Sequence, residues 1–183
     1  MGRILKRPHP TFLVVLLFLI VLAYIFYIDI IAKILGRTQS NLLTSVVLVF
    51  VGFGLNEVRH YRVMYYQNLD ACCLVAFSLF KCSISLGRAT YIAKETAHQF
   101  IPEADLDRVN KLLAEATNNA KEAAKYALHN FSAINSMLST LIYMLEDADE
   151  ELSNGAEKEF TESKLLRAVE FSKSIFNELE QIR

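Results

Sequence analysis

The chain predicts an all-α fold: an N-terminal two-helix transmembrane hairpin followed by a long-helix antiparallel cytoplasmic bundle. Three observations carry that prediction. Residues 11–32, TFLVVLLFLIVLAYIFYIDIIA, hold a single charge, Asp29. At about 1.5 Å of rise per residue, such a run crosses a hydrocarbon core roughly 30 Å thick. A second apolar run, 42–55, follows a short polar connection, and the sequence beyond residue 68 is polar enough for water. Finally, helix breakers are scarce: no proline falls between Pro10 and Pro102, and Gly87 is the only glycine between Gly54 and Gly155. The second span is therefore expected to continue out of the bilayer as a long helix.

The first span reads as a retained anchor. Its flank, MGRILKRPHP, is basic, but the apolar run is too long for a signal peptide and ends without a small-x-small cleavage site. Lys6 occupies the position where a myristoylation signal needs Ser or Thr. Arg3, Lys6 and Arg7 precede this span and Arg59 and Arg62 follow the second, whereas the connection offers Lys33 and Arg37. That bias, with Tyr61, Tyr65 and Tyr66 as an interfacial belt, puts both termini in the cytoplasm and makes the chain a two-pass protein of the cell's inner (plasma) membrane.

The second span, about 39–56, reaches spanning length only by including polar ends. One of its faces reads Thr38, Asn41, Ser45, Gly52, Asn56, Arg59, in steps of three, four and seven. Small and polar residues at such spacing let helices approach closely in lipid. The alternative is that Ser45, Gly52, Asn56 and Arg59 line a pore in an oligomer, since polar groups inside a membrane face a partner or water. Asp29 either reaches the headgroups or supplies negative charge at the outer mouth of such a pore. Residues 69–86 raise the question of a third span, which would move the C-terminal part across the membrane. Asp70 and Lys81 confine the uninterrupted piece to about ten residues, a length that suits a buried core helix.

Residues 1–57 thus form the hairpin, with spans at 11–32 and 39–56, and residues 58–183 the bundle, with helices expected at 58–100, 103–148 and 160–182. In the first of these, Leu69, Cys72, Ala76, Leu79, Ser83, Leu86, Thr90, Ala93, Ala97 and Phe100 make a heptad seam, and Phe77, Phe80 and Ile84 a second apolar face. Pro102 opens the next helix, with Glu103, Asp105 and Asp107 at its positive end. Its stripe is regular: Leu106, Val109, Leu113, Ala116, Ala120, Ala123, Ala127, Phe131, Ile134, Leu138, Leu141, Leu145. A stutter falls at Ala127–Phe131. Such a helix, roughly 65 Å long, must bury its stripe against a partner helix. The run EDADEE at 146–151 and Ser-Asn-Gly at 153–155 then read as an acidic, solvated exit and a turn. The last helix presents Leu165, Val169, Phe176 and Leu179.

Charge is unevenly divided. Residues 1–68 carry seven Lys/Arg against two Asp/Glu, and residues 69–183 twelve against eighteen, giving +5 and −6 within the net −1. The acidic soluble part lacks a basic stripe, so direct nucleic-acid binding is not expected. Cys72, Cys73 and Cys82 match neither a disulfide framework nor a zinc site and read as core residues; acylation of the Cys72–Cys73 pair is the alternative in a eukaryotic chain. His9, His60, His98 and His129 have no ligand at helical spacing. Phosphate loops, nucleophile elbows and zinc-protease motifs are missing, as is the Arg–His spacing of HEPN ribonucleases. The sequence therefore predicts no catalytic residue, no cofactor and no metal, and a role other than enzyme.

The two runs TFLVVLLFLIVLAYIFYIDIIA and NLLTSVVLVFVGFGL joined to a small helical bundle resemble, in layout over the whole chain, the membrane effectors of bacterial antiphage defence systems. Retron effectors, two-span effectors of nucleotide-signalling systems and small membrane accessories of RNA-targeting CRISPR loci share it. The resemblance implies a toxin-like homo-oligomer that permeabilises the inner membrane when a cytosolic sensor or regulator releases it. The competing expectation is a membrane-anchored scaffold, adaptor or regulatory subunit that holds a cytosolic partner.

Overall fold

A computed structural model of the chain describes residues 9–35, 37–95, 101–128, 131–153 and 158–182. Among them there is no strand. Five helices follow in order: α1 Pro10–Leu35, α2 Arg37–Glu95, α3 Glu103–Ala127, α4 Ser132–Ser153 and α5 Lys158–Ile182. Two are long and apolar enough to cross a membrane, over Pro10–Ile34 and Asn41–Glu95. The chain divides into two compact units, Leu5–Gln67 and a second built on Asn68–Arg183, and α2 contributes to both.

In the first unit, α1 and the N-terminal half of α2 run antiparallel. Contacts climb α2 as they descend α1. The Tyr24 hydroxyl hydrogen-bonds that of Thr44 at 3.0 Å, Leu17 lies against Gly54, and the His9 ring meets Tyr65 edge-on at 5.5 Å. The half-covered residues of this half of α2 are Thr44, Val47, Val51, Gly54, Val58, Tyr61 and Tyr65, in steps of three and four. The remaining faces, Phe12, Phe18 and Phe26 on α1 and Leu48, Phe50 and Phe53 on α2, are exposed.

The second unit packs the C-terminal half of α2 with α3, α4 and α5 around one core. α2 buries Cys72, Val75, Leu79, Cys82, Leu86, Ala89 and Ala93. Cys72, Leu79, Leu86 and Ala93 belong to the expected seam, and Thr90 is buried with them. Elsewhere the seam lies one residue earlier than the pattern suggested: Val75 and Cys82 are buried where Ala76 and Ser83 are half-covered. Ala97 and Phe100 lie outside the described residues. Phe77, Phe80 and Ile84 are exposed.

The expected single helix at 103–148 is two helices. α3 ends at Ala127 and α4 begins at Ser132, on either side of the stutter. The stripe itself is buried from Val109 to Leu145, with Leu106 half-covered. Its partner, however, is its own second half, because α3 folds back on α4. The reason is steric as well as hydrophobic. α3 offers the alanines at 116, 120, 123 and 127, and α4 offers Ile134, Leu138, Leu141 and Leu145. Small residues facing large ones let two helices interdigitate closely. Neither Pro nor Gly marks this turn.

The acidic run is also not an exit. Residues 146–151 lie inside α4, which continues to Ser153. Asp147 and Glu151, one turn apart, both hold Lys164 of α5, each at 2.6 Å. On α5 the buried set is Thr161, Leu165, Ala168, Ser172, Ile175 and Leu179. Val169 and Phe176 flank it, half-covered. The Ser172 hydroxyl, fully buried, hydrogen-bonds Ser83 of α2 at 3.0 Å and donates to the Val169 carbonyl at 2.8 Å. Pro102 caps α3 from just outside its first turn, its carbonyl accepting from the Asp105 and Leu106 N–H groups at 2.9 and 2.8 Å.

Candidate functional site

The polar stripe on the N-terminal half of α2 is the feature that apolar packing does not explain. Ser45, Gly52, Asn56 and Arg59 are exposed, and all four point away from the seam that meets α1. The two glycines separate the faces. A Cβ on Gly54 would lie 3.2 Å from Leu17 Cδ1, whereas one on Gly52 would meet nothing within 4 Å. Two residues turn a helix by about 200°, so Gly54 serves the α1 contact and Gly52 faces outward. Thr44, paired with Tyr24, marks the same inward face.

Each polar group on the stripe has a distinct local setting. The Ser45 hydroxyl donates to the Asn41 carbonyl one turn back at 3.1 Å, which satisfies it without water. Asn56 and Arg59 line a shallow cavity of about 250 Å³ with Glu57, His60 and Val63. Amide, guanidinium, carboxylate and imidazole converge there, so this end of the stripe is hydrophilic while the Gly52 level is bare backbone. Such a face can meet water or a second polar helix, and in lipid it would be costly. The side chains of Thr38 and Asp29 lie outside the described residues.

Sequence reasoning placed Gly52 on the special face and passed over Gly54 and Thr44. The signal was present in the half-covered heptad Thr44, Val47, Val51, Gly54, Val58, but every valine there resembles its exposed apolar neighbours.

Elsewhere, among the described residues, no group of three or more His, Cys, Asp or Glu could hold a metal ion. His98 and His129 lie outside the described residues. Cys72 and Cys82 are buried and Cys73 is exposed. Burial pushes the Cys82 thiol up to about 12, which keeps it protonated and inert. Burial alone would lower the Lys164 ammonium; the hydrogen bonds it donates to Asp147 and Glu151, and their charges, outweigh it and raise it above 10.5.

No family model, curated protein or solved structure matches this chain.

Proposed function

We propose that the protein is a membrane-embedded oligomeric effector that forms a pore or otherwise permeabilises the bilayer, with an N-terminal transmembrane hairpin and a cytoplasmic helical bundle. The observation that carries this reading is the outward stripe Ser45–Gly52–Asn56–Arg59, which α1 does not cover, on a helix whose other exposed residues between 42 and 55 are apolar. Polar side chains at membrane depth require water or a partner, and a ring of copies supplies both. The exposed apolar belts of α1 and α2 are what lipid would cover. Both termini lie in the cytoplasm, and Asp29 stands near the outer mouth. In a bacterial cell the trigger would be release by a cytosolic sensor, as in the antiphage effectors of similar layout.

Expression should depolarise the host membrane. Gly52→Leu and Asn56→Leu, which fill and grease the stripe, should abolish depolarisation while leaving membrane insertion intact. Undiminished depolarisation by both variants refutes the pore and favours the anchored scaffold or adaptor.

A further inference from the structure

The second unit leaves an apolar helix face uncovered on the side meant for water. On α2, Phe77 is 57 % exposed, Phe80 54 % and Tyr91 64 %, with Ile84 between them. Beside Ile84, Gly87, Arg88, Tyr91 and Ile92 of α2 and Leu112 of α3 line an apolar groove of about 420 Å³. The groove exists because Gly87 carries no side chain; a Cβ there would meet nothing within 4 Å. A row of exposed aromatic side chains next to an open groove marks an interaction surface.

Charge selects the occupant. Residues 71–94 contain no Asp or Glu but carry Lys81, Arg88 and Lys94, all exposed. Lys81 lies 4.4 Å from the Phe77 ring centroid, so the cations and aromatics share one face. α4 is the converse: it has no Lys or Arg and five carboxylates. α2 meets α5 through Ser83–Ser172 and shares its groove with α3, whereas α4 packs between α3 and α5. The outer side of α4 presents Tyr143, 71 % exposed, with Asp149 and Glu150 beyond it.

We propose that the outward face of α2 in one copy docks on the outer face of α4 in the next, a head-to-tail contact between copies of this chain. A face-to-face contact between two α2 helices would set Lys81 and Arg88 near like charge, with only Asp70 and Glu95 at the two ends of the face to offset it, whereas α4 carries five carboxylates and no cation. Head to tail, the same cations meet Asp149 and Glu150, and Phe80 and Tyr91 gain cover. Contacts of this heterologous type propagate and close into a ring when the rotation permits. Anchoring in one bilayer raises the effective concentration of copies. The inference rests on the oligomeric reading above and adds the surface that builds the oligomer.

The test is charge exchange on the full chain in detergent, read as mass by mass photometry over a concentration series. Lys81→Glu with Arg88→Glu, and separately Asp149→Lys with Glu150→Lys, should each weaken assembly about tenfold or more. Phe80→Ser should do the same without altering charge. The four charge changes combined in one chain should restore assembly to within about threefold of wild type. All five residues of the test are exposed, and unfolding temperatures within about 4 °C of wild type verify the fold. Wild-type-like assembly in both charge-reversed pairs, or failure of the combined variant to recover, overturns the docking surface and leaves the oligomeric reading standing. A wild-type chain that stays monomeric at every concentration overturns both.

Discussion

Leu79 and Phe80 are adjacent on α2, yet one is fully buried and the other 54 % exposed, so truncating each separates packing from surface. Leu79→Ala removes three carbons from a closed core. Leu→Ala changes at such sites cost about 2.7–5 kcal/mol, the transfer of the lost atoms plus the cavity left behind. The second unit has about 115 residues, so its unfolding entropy is about 240 cal/mol/K, and 1 kcal/mol corresponds to roughly 4 °C. A cost of about 3 kcal/mol thus predicts a fall of about 12 °C. Phe80→Ser forfeits less than half of a phenylalanine's burial, about 1 kcal/mol or roughly 4 °C. The assay is heating in detergent with a thiol-reactive fluorophore, in a Cys73→Ser background. The buried thiols Cys72 and Cys82 then report unfolding of the unit that encloses them. If Phe80→Ser shifts the midpoint as far as Leu79→Ala, or Leu79→Ala shifts it by under about 4 °C, the assigned face of α2 is wrong. Insensitivity at both sites would further mean that residues 69–86 are not packed against α3–α5 and would reopen the third span.

Three further outcomes follow from the same geometry. In lipid, and in a Cys73→Ser background, a Tyr24→Cys/Thr44→Cys pair should be bridged by a short bismaleimide, should be bridged poorly when Gly54→Leu drives a side chain into Leu17, and should be unaffected by Gly52→Leu; equal loss in both glycine variants would refute the assignment of faces. In the folded wild type, maleimide should label Cys73 within minutes and leave Cys82 unlabelled until denaturation, as mass spectrometry would show, since burial holds that thiol protonated. Lys164→Met should cost about 1 kcal/mol by removing the bridge to Asp147 and Glu151. Because the folded ammonium titrates above 10.5, the bridge's contribution is complete below that pH and drains as pH rises through the folded value. The wild-type–variant gap in unfolding temperature should therefore be flat from pH 7 to about 10 and close above it; a gap that already closes between pH 7 and about 10, or that stays open through the lysine's titration, would refute the sign.

Much of the fold was legible because periodicity needs no tertiary information. The stripe from Val109 to Leu145 was read residue by residue from steps of three and four, and it is buried. The turn inside it was hidden because Leu128 to Phe131 contain neither proline nor glycine, so local propensity does not separate a helix from a helical hairpin there. Along α2 the phase was legible only to within one residue. Val75 and Ala76, or Cys82 and Ser83, are equally acceptable core residues, and only their neighbours choose between them. The candidate site was half legible. Its polar members stand out against apolar surroundings, but which side α1 covers depends on the Gly54–Leu17 approach.

The sequence by itself determined the helical class, the apolar runs long enough for a membrane, the basic and acidic halves and the identity of most core positions. Those follow from one-dimensional quantities: hydropathy, repeat period and charge. Tertiary structure alone decided that one amphipathic stripe is buried against itself, since a long helix and a hairpin of the same residues differ only in whether distant segments meet. It also decided that the acidic run of α4 grips Lys164, and that Phe77, Phe80 and Tyr91 are left exposed. Exposure is a property of what packs beside a residue, and for the outward face of α2 this chain alone provides no neighbour among the described residues.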